Sequence, residues 1–139
     1  MPSTKEFTVI LEDRPGTLGK VCRALGDRRV NILAFQSFAT EGKALTRIVV
    51  DTPVAAKKKV LDSERLTYTE AEVAQVKLPN RLGELARAAS RLGEANININ
   101  YGYCGLEAGT NAPLLVVGVA DVGRAVTVLE QAASAAAAT

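Results

Sequence analysis

Asp13-Arg14-Pro15-Gly16-Thr17-Leu18, then an apolar-periodic stretch ending at Leu25-Gly26, then Val30-Asn31-Ile32, is the stretch of sequence that decides the fold. It is written a second time. Asn80-Arg81-Leu82-Gly83-Glu84-Leu85 leads into a similar stretch ending at Leu92-Gly93 and then into Ile97-Asn98-Ile99. The shift is constant (80 − 13 = 67 and 98 − 31 = 67) and contains no gap. Such a shift marks one structural unit used twice.

Outward from the first copy, Phe7, Val9 and Leu11 alternate through residues 5–12, the pattern of a half-buried strand. Leu18, Val21, Cys22 and Leu25 then fall on one face of a 3.6-residue period, a helix that Gly26 is expected to end. Val30 to Ala39 is β-rich, Glu41-Gly42 supplies a turn, and Leu45 to Asp51 alternates as a strand. Thr52-Pro53 predicts a capped helix to about Asp62, and Leu66 to Glu70 returns as a strand. The second copy opens with Val73 to Leu78, continuous with that strand. It continues with a helix bearing Leu85, Ala88, Ala89 and Leu92, and a strand alternating from Ile97 to Tyr103. Leu114 to Ala120 is the next strand, and Asp121 is expected to cap a final helix. The alanine run to Thr139 extends or frays that helix and leaves no segment for a fourth strand.

The expected fold class is α+β: two ferredoxin-like βαββαβ modules with antiparallel sheets, residues 1–72 and 73–139, the second lacking its last strand. Modules of about 65–70 residues are marginal alone, so each is expected to bury apolar surface against the other or a second chain. Aromatics make up 4% of residues against 47% hydrophobic, which implies cores built from Val, Ile, Leu and Ala. A net charge of +2 is too small for a nucleic-acid footprint, and Lys57-Lys58-Lys59 reads as the solvated face of a helix. Without an apolar leader or a membrane-length run, the chain is expected to be soluble and cytoplasmic, with no membrane partner.

The chain has no histidine, no paired-cysteine motif and no phosphate loop, so no catalytic residue, metal or cofactor is expected. Cys22 reads as a small buried hydrophobe on the helical stripe. The repeated turns are binding candidates. Each lies between strand and helix, where free N–H groups of the first turn favour a carboxylate. Asp13 and Asn80 stand ready to accept a hydrogen bond from an ammonium group. Donors for a carboxylate beside an acceptor for an amine describe a receptor for a free amino acid. The competing reading is structural: Gly16 and Gly83 permit a tight turn, and Asp13 and Asn80 satisfy local backbone. Asn31 and Asn98 begin matching strands, and their amides either meet an extended ligand or a neighbouring loop. Asn96 falls where a left-handed residue closes the helix, Asn100 reads as a polar strand face, and Tyr101 and Tyr103 read as core.

The D-R-P-G-x-L turn, the amphipathic helix and the V-N-I strand together resemble the ACT domain, a small regulatory module of amino-acid metabolism. The resemblance covers roughly residues 5–72 and again 73–134, as in a stand-alone tandem ACT protein. It implies sheets paired side by side and a free amino acid bound at the junction of modules. The ligand loop it implies falls on Asp13, Arg14, Pro15, Gly16 and Leu18, and again on Asn80, Arg81, Leu82, Gly83 and Leu85. The facing strand start falls on Asn31-Ile32 and Asn98-Ile99. A homodimer and a partner enzyme of amino-acid metabolism are implied as well. Leu82 replaces the usual proline of the turn, and Arg29 stands where the family often has glycine. The alternative function is a regulatory or scaffold subunit that docks on a partner through a free sheet edge, with no small ligand.

Overall fold

Alternation at Phe7, Val9 and Leu11 buries all three on one side of β1 (Ser3–Glu12). The computed structural model describes residues 3–138, with side chains as far as residue 133. Its contacts divide the chain into a unit Lys5–Ala71 and a unit that begins at Glu72 and takes in Ser3 and Thr4. Both are α+β with antiparallel strand pairing.

In the first unit, β1 is followed by α1 (Thr17–Asp27), β2 (Ile32–Thr40) and β3 (Lys43–Val50). β3 lies between the other two, with Phe7 opposite Ile48 and Ile48 opposite Phe35. Glu41 and Gly42 both take positive φ, 50° and 78°, and make the two-residue turn between β2 and β3. The next helix begins at Pro53 as expected, but only α2 (Pro53–Ala56) is α-helical. Lys57–Leu61 continues as a π-helix whose wider turn exposes Lys58 and Lys59 while Val60 and Leu61 enter the core. The expected cap at Thr52 is absent. Its hydroxyl donates to Asp51 Oδ1 at 3.1 Å and accepts from no first-turn N–H. β4 (Thr67–Lys77) starts beside β1, where Lys5 pairs with Glu70 at 3.2 Å and the Tyr68 ring meets Phe7 edge-on at 5.9 Å.

The second unit uses the rest of β4, then α3 (Glu84–Glu94), β5 (Tyr101–Leu106), β6 (Pro113–Gly118) and α4 (Val122–Ala138). β6 is central, with Ala74 and Gly102 both opposite Val117. The first-strand shift is again 67 (74 − 7), whereas the central-strand shift is 69 (117 − 48). The two extra residues lie in the β5–β6 hairpin, where Glu107 and Ala112 are joined by a 2.8 Å backbone hydrogen bond. Asp121 caps α4 through the Arg124 N–H at 3.0 Å. Among the described residues no strand follows β6: α4 runs on through the alanine run to Ala138, and Thr139 lies outside them.

Two further local expectations are corrected. α1 passes through Gly26, and the left-handed residue that closes it is Arg29. β5 starts at Tyr101 rather than Ile97. Burial alternates from Ile97 onward, but pairing with β6 begins only where Asn100 N–H meets the Gly118 carbonyl. Among the described residues no helix is long and apolar enough to cross a membrane.

Candidate functional site at the strand-to-helix loops

Five backbone hydrogen bonds define the loop after β1 and the far end of α1, and all five recur 67 residues later. Arg14 N–H to the Glu12 carbonyl returns as Arg81 to Pro79, Thr17 to Arg14 as Glu84 to Arg81, and Lys20 to Gly16 as Arg87 to Gly83. At the far end, Arg29 to Gly26 returns as Asn96 to Gly93, and Val30 to Leu25 as Ile97 to Leu92. Gly16 and Gly83 enter their helices in the left-handed region, at φ 92° and 86°. Glycine takes that conformation without the strain a Cβ would add.

Neither helix has a side-chain cap. Asp13 and Asn80 therefore do not satisfy the first turn, and their side chains remain exposed and without a partner among the described residues. The N–H groups of Leu18 and Gly19 open α1 without an acceptor there, as helix geometry dictates.

The side chains make the two loops differ. In the first, Arg14 Nε pairs with Glu12 at 2.7 Å, and the Thr17 hydroxyl donates to the Glu12 carbonyl at 2.9 Å. No acidic residue stands in the first turn of α1. In the second, Glu84 replaces Thr17, its side chain is only 11% exposed, and it pairs with Arg81 at 3.0 Å. A carboxylate of the protein's own thus sits at the positive end of α3. Pro15 and Gly16 are exposed, Leu18 is half-buried, Leu82 is fully exposed and Leu85 stands out to solvent.

The strand starts lie elsewhere. Asn31 exchanges two hydrogen bonds with Asp51: its N–H donates to Oδ1 at 3.0 Å, and the Asp51 N–H donates to its carbonyl at 3.1 Å. The loop end of β1 instead meets Lys43, at the opposite end of β3. At about 3.3 Å per residue the length of β3 puts roughly 25 Å between them. Asp13 and Asn31 are therefore not brought together within one unit, and neither are Asn80 and Asn98. The reason is the connection: a strand–helix–strand crossover returns the chain, so β1 and β2 run parallel on either side of β3. Ile32 and Ile99 are partly buried at those strand starts, and the Asn98 amide donates to Asn100 Oδ1 at 2.9 Å.

A cleft of 510 Å³ opens beside the first loop, bounded by β1, α1 and the start of β4. Arg14 is the one predicted site residue that lines it. Glu12, Thr17, Lys20, Lys43, Glu64, Arg65 and Thr67 complete its polar wall, and none of these is marked by a motif. The equivalent cleft in the second unit is smaller, 230 Å³, and α4 closes it with Leu129, Ala132 and Ala133. Among the described residues no cluster of three or more His, Cys, Asp or Glu side chains is placed to hold a metal.

Residues 6–59 match the sequence pattern of the ACT domain family. Over those residues the first unit resembles an ACT domain. Protein BT0572 from Bacteroides thetaiotaomicron is similar in fold, with a TM-score of 0.80 at 23% identity over 94% of this chain and 88% of its own. The ligand-free regulatory subunit of aspartate kinase from Thermus thermophilus gives a TM-score of 0.60 at 16% identity, covering 95% of this chain and 93% of its own. That of Thermus flavus gives 0.56 at 14%, with the same coverage. No curated protein is similar enough in sequence to stand as a relative.

Proposed function

We propose that this chain is a non-catalytic regulatory protein that binds a free amino acid through the Asp13–Leu18 loop of its ACT domain and passes the signal to an enzyme of amino-acid metabolism. The observation that carries it is the chemistry of that loop. Unpartnered N–H groups of Leu18 and Gly19 suit a ligand carboxylate, and the partnerless Asp13 carboxylate suits its ammonium group. The distance between this loop and Asn31 means that a site using both draws them from two modules. A second ACT-like module, as in a homodimer, would supply the strand start. Ligand then favours the assembled form, because only that form offers the whole site. The regulatory role is supported by the ACT match and by the aspartate kinase regulatory subunits that share the fold. The unit from Glu72 onward is read as a second ACT-like module on its repeated loop geometry.

The second loop belongs to the proposal as a weaker site. Glu84 holds the place where a ligand carboxylate would approach Gly83 and Leu85, beside Asn80, Arg81 and Leu82. The test is a thermal-shift panel of the twenty amino acids with calorimetry on each hit, repeated on Gly16→Ala. A selective hit weakened by that variant is expected; a flat panel on folded protein refutes the reading.

A further inference from the structure

We propose that the cleft beside α1 in the first unit is a binding site for a compact, doubly anionic small molecule. Four cations line it (Arg14, Lys20, Lys43 and Arg65) against two carboxylates, Glu12 and Glu64. Arg14 and Glu12 are committed to each other. Lys20, Lys43 and Arg65 have no ion-pair partner among the described residues, nor does Glu64. The uncommitted charge is therefore +2, which a zwitterionic amino acid leaves unmatched and a dianion neutralises. The three uncommitted cations come from three places in the chain, Lys20 from the start of α1, Lys43 from the start of β3 and Arg65 from the approach to β4, and all line the one cleft.

Size and lining narrow the class. At 510 Å³ the cleft is in the range of small-metabolite sites. Its apolar floor is aliphatic, with Ile10, Leu11, Val21 and Leu66 and no aromatic ring on which a base could stack. A phosphomonoester or a dicarboxylate on a short aliphatic body meets both conditions. The second unit is an internal control. In its smaller cleft Arg81 is held by Glu84 and Lys77 by Glu107, leaving Arg87 as the one lining cation without an ion pair among the described residues.

Titration of the full chain with glycerol 3-phosphate and with succinate, followed by amide NMR and calorimetry at constant ionic strength, tests this. Acetate and glycerol serve as monoanionic and neutral controls. The expected result is saturable binding of at least one dianion, with shifts clustered at Lys20, Lys43 and Arg65. Loss of one charge-assisted hydrogen bond in Lys20→Ala or Lys43→Ala should weaken it about tenfold, whereas Lys58→Ala should leave it unchanged. Which dianion binds separates the two sources. Equal responses to dianion and acetate, no saturation by either dianion, or variants that bind as tightly as the parent overturn the proposal. The amino-acid response of Gly16→Ala is read separately, so either site can fail without the other.

Discussion

Arg29 and Asn96 hold the same left-handed backbone conformation, φ 60° each, at the same step after helices 67 residues apart. Asparagine visits that region at low cost, whereas arginine gains nothing there to offset the crowding of its Cβ. Both side chains are exposed, so the backbone alone decides their effect. Arg29→Gly should therefore raise unfolding stability by about 0.5–1 kcal/mol, and Asn96→Gly by less. Urea unfolding of the two variants against the parent checks the order.

The Lys5–Glu70–Lys57 cluster makes stability depend on pH. Glu70 is held below the usual carboxylate value of 4.5 by its hydrogen bonds to Lys57 and Lys5. A depressed folded pKa means a contribution present above the unfolded value and lost as pH falls through the folded one. Lys57 is raised above 10.5, chiefly by its hydrogen bond to Glu70, so its share persists until strongly alkaline pH. The gap in urea midpoint between parent and Glu70→Gln should be constant through neutral pH and close as pH falls below about 4.5. It should also shrink in 1 M salt, because the cluster is partly solvated.

Gly118 lies under the Tyr101 ring, and a Cβ built there clashes with the ring carbons. Gly118→Ala must displace that ring and should cost about 1–3 kcal/mol. If the ring is the obstacle, Tyr101→Ala combined with Gly118→Ala will cost less than the two changes added. Thermal unfolding of the three variants measures the coupling.

The two cysteines should differ in reactivity. Burial on α1 pushes the Cys22 thiol up, while Cys104 is exposed on β5. Less thiolate and less access both slow Cys22. Alkylation at pH 8 followed by mass spectrometry should label Cys104 first, and preferential labelling of Cys22 would contradict the packing described for α1.

Much of this architecture is written in local signals. The repeat predicted both helices, Glu41-Gly42 its turn, Asn96 its left-handed corner and Asp121 its cap. Each depends on residues within one turn of chain. The Thr52 signal fails because its hydroxyl donates to the neighbouring Asp51 carboxylate instead of accepting from the first-turn N–H groups. The separation of Asp13 from Asn31 was legible in principle, since a crossover helix makes the strands around it parallel, but spacing along the chain conceals it. Nothing in the sequence announces that Lys20, Lys43 and Arg65 share a cleft, because they converge only after the turn and the strands have formed.

The recurrence of the same hydrogen bonds in both loops has a practical reach. Since Gly16 and Gly83 take nearly the same φ, residues 13–17 and 80–84 share one backbone hydrogen-bond pattern under different side chains. Exchanging Thr17 and Glu84 would swap a hydroxyl for a charge without asking the chain to bend anew. Under the proposed function, that exchange would carry ligand preference from one repeat to the other.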